Sequence, residues 1–107
     1  MATAAWNNQS NHPSTPSWWI VIADTDTYEE VEGNVYFPIA SVRQEFLQPS
    51  ELHSVCFWKG EASYYNVVVN DQVNKNAAWY YADPSFLARK IKDHVAFWRG
   101  VTVAKKA

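Results

Sequence analysis

The sequence predicts a mainly β fold: a small single-domain β-sandwich or strongly bent β-sheet, barrel- or tent-like, with one α-helix in the C-terminal half and a short helical turn. Three observations carry this. Six aromatic doublets punctuate the chain: Trp18-Trp19, Tyr36-Phe37, Phe57-Trp58, Tyr64-Tyr65, Tyr80-Tyr81 and Phe97-Trp98. In an extended strand each doublet puts one ring on either side. Short apolar runs bounded by turn residues recur along the chain, and the stretch after Asp83-Pro84 has sustained helical spacing.

In chain order, residues 1–17 are rich in Ala, Asn, Ser, Thr and Pro and read as a flexible tail on a domain over 18–104. Residues 18–23 (Trp-Trp-Ile-Val-Ile-Ala) form a strand, and Asp24-Thr25-Asp26 a turn. Weak alternation over 27–31 and the run Val35-Tyr36-Phe37 flank a turn at Glu32-Gly33-Asn34, and Pro38 ends the second run. Val42 and Phe46, four apart, predict a helical turn that Pro49 stops. Residues 54–58 are extended, with a bend at Lys59-Gly60.

A hairpin follows, residues 64–69 and 73–81 around a three-residue loop, Asn70-Asp71-Gln72. That loop sets Val69 opposite Val73. It gathers Tyr65, Val67, Val69, Val73, Ala77, Trp79 and Tyr81 on one core face. Asp83 as N-cap and Pro84 as first helical residue open a helix running to about His94. It is expected to pack through Phe86, Leu87, Ile91 and Val95. A last strand over 101–103 follows Arg99-Gly100.

Composition narrows the function. A chain of 107 residues, 48% hydrophobic, closes one core as one domain. A net charge of -2 argues against nucleic acid and anionic membrane as partners. A single cysteine forms no internal disulfide and no Cys-rich zinc site, and the three scattered histidines lack metal spacing. Neither a metal nor a cofactor is expected. Three glycines make no dinucleotide or phosphate loop. With no secretory leader and no long apolar run, a cytoplasmic location is the expectation. The sequence leaves the oligomeric state open.

The chemistry concentrates in residues 56–65, Cys-Phe-Trp-Lys-Gly-Glu-Ala-Ser-Tyr-Tyr. Cys56, Lys59 and Glu61 are the catalytic candidates, and Trp58, Tyr64 and Trp79 the ligand-binding ones. A thiol beside a cation can be activated, although a free cysteine is commonly a small buried hydrophobe. Lys59 and Glu61 can hold a polar ligand or pair with each other at a sheet edge. Asp24 and Asp26 have the pattern of metal-binding carboxylates, but Asp also favours turns for its own local hydrogen bonds. His94 shares the apolar face of the expected helix and reads as a core or boundary histidine.

The expectation is a domain that binds a small polar or planar ligand in an aromatic-lined pocket. Lys59 would meet an anionic or carbonyl group, with Cys56 or Glu61 acting in any reaction. The alternative is a protein-interaction module anchored by exposed aromatics.

Taken together, several motifs resemble the DUF427 family. They are Val35-Tyr36-Phe37-Pro38, the segment from Cys56 to Tyr65, Ala77-Ala78-Trp79-Tyr80-Tyr81, Asp83-Pro84 and Val95-Ala96-Phe97-Trp98. The resemblance covers residues 18–103. It implies a small β-rich domain of unsettled activity that also carries a nucleotidyltransferase label, for which this chain offers Asp24 and Asp26. The family usually has Cys-Pro ahead of an aromatic-Lys-Gly; here Phe57 follows Cys56, removing a rigid kink.

Overall fold

The computed structural model describes residues 1–7 and 19–106. Nine strands account for most of them: β1 (Ala2–Asn7), β2 (Trp19–Thr25), β3 (Glu29–Val31), β4 (Asn34–Pro38), β5 (Leu47–Cys56), β6 (Gly60–Val69), β7 (Gln72–Tyr80), β8 (His94–Phe97) and β9 (Val101–Lys105). They form two antiparallel sheets, one of three strands in the order β2-β1-β9 and one of six in the order β3-β4-β8-β7-β6-β5. The mainly β expectation therefore holds, as two sheets around one core.

That core lies between the sheets. Ala2, Ala4, Ile22 and Ala23 of the small sheet meet Val35, Phe37, Val67, Val69, Val95 and Phe97 of the large one. A bulge in β2 lets this happen: the pairing steps from Ala4–Ala23 to Ala5–Val21, skipping Ile22. Ile22 and Ala23 are consequently both buried, although strict alternation would expose one of them.

Residues 1–17 are not wholly a tail. Ala2–Asn7 is the central strand of the small sheet, with Ala2 and Ala4 fully buried. Alanines have weak strand propensity, but here they fit where the sheets approach closely. Residues 8–17, and Trp18 at the expected start of the domain, lie outside the described residues.

The hairpin between β6 and β7 turns on two residues rather than three. Val69 pairs with Gln72, and Asn70 and Asp71 both take left-handed φ values of 50° and 64°. Short polar side chains tolerate this conformation, and a type I′ turn needs it at both positions. Odd positions of β6 therefore share a face with even positions of β7. Tyr65 stacks on Tyr80, while Trp79 and Tyr81 fall on the opposite side from Val67 and Val69. The single core face expected from the sequence is thus two faces.

A second irregularity follows in the same hairpin. Pairing passes from Val67–Asn74 to Tyr65–Ala78, with Asn76 at φ 58°. The Asn76 backbone N–H donates to Asn66 Oδ1 at 2.9 Å.

No α-helix forms among the described residues. Where one was expected over 84–94, Phe86–Ile91 is a 3-10 segment that departs from helical geometry at Ala88. Its buried residues, Ala88 and Ile91, are three apart, which suits three residues per turn. Phe86 and Leu87, expected to pack inward, are 75% and 76% exposed. Ser85 rather than Asp83 precedes the segment and gives no side-chain cap, and by His94 the chain is already in β8. The turn expected around Val42 is two 3-10 pieces, Ile39–Ser41 and Gln44–Phe46, separated where Val42 bridges to Ala23. Among the described residues no helix is long and apolar enough to cross a membrane.

The turn assignment is open to a direct check. Replacing Asp71 with Gly removes the left-handed strain at the second turn position and should raise stability by roughly 0.5–1 kcal/mol in urea denaturation. A loop centred on three residues would not respond this way.

Candidate functional site

The large sheet has an aromatic second face. Tyr36, Ala62, Tyr81, Ala88, Ile91 and Ala96 form a separate buried cluster there, with Cys56, Trp58, Tyr64 and Trp79 packed against it. The segment around Ala88 and Ile91 covers part of this face. The rest stays open as a cavity of about 270 Å³ lined by Asn34, Tyr36, Lys59, Tyr64, Trp79, Tyr81 and Trp98.

Lys59 is the distinctive member. Among the described residues it is the one charged side chain that is buried, at 6% exposure. Its ammonium pairs with the Glu32 carboxylate and sits 5.0 Å from the Trp58 ring centre and 5.7 Å from that of Tyr81. Burial works against the charge. Glu32, helped by Tyr81, Cys56 and Tyr36, outweighs it and holds the lysine above its ordinary pKa. The same contact, chiefly the hydrogen bond from Lys59, draws Glu32 below the usual carboxylate range.

The loop carrying Lys59 is clamped from outside. Ser85 N–H donates to the Lys59 carbonyl at 2.9 Å, and Ser85 Oγ donates to the Trp58 carbonyl at 2.6 Å. Gly60, at φ 114°, lies where a Cβ would come to 3.4 Å from the Asp83 carbonyl oxygen. Only glycine takes that conformation freely, so the turn and its clamp fit together without a side chain between them.

The rings are fixed as well. Trp79 Nε1–H donates to the Tyr36 hydroxyl at 3.2 Å, with the two rings edge to face. Trp98 Nε1–H is taken by the Asn76 carbonyl, so the irregular strand β7 anchors this indole. Tyr64 meets Ser54 Oγ at 2.9 Å. With both indole N–H groups engaged, Trp79 and Trp98 offer ring faces to the cavity rather than donors. Burial raises the Tyr36 phenol and pushes Tyr81 up to about 12, so both stay protonated at neutral pH.

Of the residues singled out by sequence, Lys59, Tyr64 and Trp79 line the cavity, and Cys56 and Trp58 pack beside it. Cys56 is partly exposed. The Trp58 backbone N–H, and then the Lys59 N–H and ammonium, lower its pKa against the opposing effect of burial.

Glu61 is not brought in. The turn over 57–59 resets the alternation, placing Glu61 opposite Val55 on β5, with its carboxylate 3.9 Å from His53. It thus points away from the face that carries Ala62 and Tyr64. The carboxylate that meets Lys59 is Glu32, 27 positions earlier in the chain, at the turn between β3 and β4. No local pattern announces it. Tyr36, Tyr81 and Trp98 belong to the aromatic doublets, but the sequence did not say which ring of each would face the cavity, and Tyr81 was expected in the core. Asp24 and Asp26 belong to no cluster: among the described residues no group of three or more His, Cys, Asp or Glu could hold a metal.

The fold and site define a two-sheet β domain with a lysine at the edge of an aromatic cavity. The chain belongs to the family described as a domain of unknown function, DUF427, whose model matches residues 20–106. No curated protein matches it.

Two outcomes follow from the charges. Because Glu32 has a lowered pKa in the folded state, its stabilising contribution is present above the ordinary carboxylate range and is lost as pH falls through the folded value. The thermal midpoint should therefore drop between about pH 5 and pH 3, and Glu32→Gln should flatten that slope. Cys56 should react with iodoacetamide several-fold faster than free cysteine at neutral pH, and Lys59→Met should slow it, as read by intact-mass spectrometry.

Proposed function

We propose that this domain binds a small molecule with a planar apolar part and an anionic or carbonyl group, in the cavity between Lys59 and Trp98. The observation that carries the reading is the buried ammonium beside aromatic walls. Taking a lysine out of water is costly unless something specific compensates. Glu32 compensates it here, yet the Glu32 side chain is 52% exposed and sits on a turn. A ligand carboxylate or carbonyl can replace it at Lys59 without leaving the ammonium unpaired.

The remaining polar groups suit an acceptor. The Tyr36 oxygen already accepts from Trp79, so its own proton is free to point elsewhere. Asn34 and Tyr81, each with a polar side-chain group, also line the space. Trp79, Trp98 and Tyr64 supply the flat apolar surface that a ring needs. Cys56 stands at the Lys59 end, its pKa lowered chiefly by the Trp58 backbone N–H. The function so assigned is binding.

A separate observation favours the second reading, a protein-contact surface. Phe57 is 98% exposed at the tip of the clamped turn, and Phe86 and Leu87 are exposed on the segment that follows Ser85. Such solvent-facing apolar groups suit a contact with another protein.

The test pairs 2-naphthoate with the neutral 2-naphthylmethanol, followed by quenching of tryptophan fluorescence. Saturable quenching by the acid, at least about tenfold tighter than by the alcohol and lost in Lys59→Met, is expected. Equal response to both probes, or a response that survives Lys59→Met, would remove the reading.

A further inference from the structure

A second cavity, of about 190 Å³, lies by the end of β7 and the entry to β8, lined by Tyr65, Tyr80, Asp93 and His94 among others. We propose that it binds a small organic cation, an alkylammonium group whose hydrocarbon stem lies against the Tyr65–Tyr80 pair.

The polarity of the lining is the argument. Among the described residues neither lysine nor arginine lines this cavity, and Asp93 is its one carboxylate. In the other cavity the charged group on the lining, among the described residues, is Lys59. Among the described residues no lysine, arginine or histidine forms a salt bridge with Asp93. The Asp93 backbone is fixed at φ 61°, and its carbonyl accepts the Ile39 N–H at 2.8 Å, so the residue is held at the cavity by the turn itself.

The neighbouring groups add acceptors and π faces. His94 Nδ1 is 2.6 Å from the Lys92 carbonyl. A carbonyl only accepts, so Nδ1 carries a proton and the ring is held against the turn. Tyr65 and Tyr80 stack at 4.7 Å, and burial raises the Tyr65 phenol, so it stays neutral at physiological pH. Neutral aromatic faces attract a cation through their quadrupole.

Size and ligand count narrow the class. The space corresponds to about six water volumes, enough for a short alkyl chain with its ammonium head. A hard metal ion would want about six oxygen ligands, more than one carboxylate and three phenols supply. An anion would face Asp93.

The test is titration of the full ¹⁵N-labelled chain with n-butylammonium, with n-butanol as its uncharged counterpart. An N-acetyl-lysine methylamide arm separates a free amine from a lysine side chain of another protein, by which of the two binds more tightly. Saturable amide shifts confined to residues 80–82 and 93–95, weakened about fivefold or more in Asp93→Asn, are the expected result. Asn tolerates the left-handed backbone, so this variant keeps the turn. The proposal is overturned if neither ammonium probe gives localised shifts at millimolar concentration. It is equally overturned if butanol matches butylammonium, or if Asp93→Asn leaves the affinity unchanged.

Discussion

Adjacent aromatic residues in a strand cannot both face the same way, and this chain places such doublets on the inner strands of its larger sheet. Phe37, Tyr65, Tyr80 and Phe97 turn toward the small sheet, while Tyr36, Tyr64, Tyr81 and Trp98 turn outward. A sheet that is apolar on both sides needs cover on both sides. The small sheet covers most of one. A single short segment through Ala88 and Ile91 covers the other in part, and the uncovered remainder is the cavity. The site is therefore what a two-faced sheet leaves open.

Lys59 belongs to that same incomplete cover. Its stem packs among rings while its charged end stays paired, the usual arrangement for a long cationic side chain at a hydrophobic boundary. A hydrophobic residue of similar length would fill the space as well, and buried ion pairs are weak evidence for stability. The physical interest of the Lys59–Glu32 pair lies in its asymmetry. One partner is fixed within the clamped turn and nearly dry, and the other is half in water.

Much of the fold was legible in the sequence, and the failures share a cause. Strand character came from β-branched and aromatic runs, and the doublets foretold a lined second face. What one-dimensional pattern could not carry was phase. The two-residue turn at Asn70-Asp71 shifts alternation by a step and moves Trp79 and Tyr81 from the expected core to the cavity, and the bulge at Ile22 buries two neighbouring residues of β2. The helix after Pro84 failed because apolar spacing alone does not separate three residues per turn from 3.6. In the site, Lys59, Tyr64 and Trp79 were readable from residue type. Glu32 was not, because its role depends on a contact between two turns far apart in the chain.

β1 lies outside the stretch that the family model matches, yet it fills the middle of the small sheet and pairs along its length with β9. Met1 and Lys106 even exchange hydrogen bonds through their backbones, the terminal ammonium also donating to the Lys106 carbonyl. β2 is the strand that follows β1, whereas β9, which pairs with the other edge of β1, comes with seven strands between them. Until β9 is made, β1 keeps an unpaired alanine-rich edge. Closing the small sheet is a contact of long sequence separation, the kind that makes folding slow.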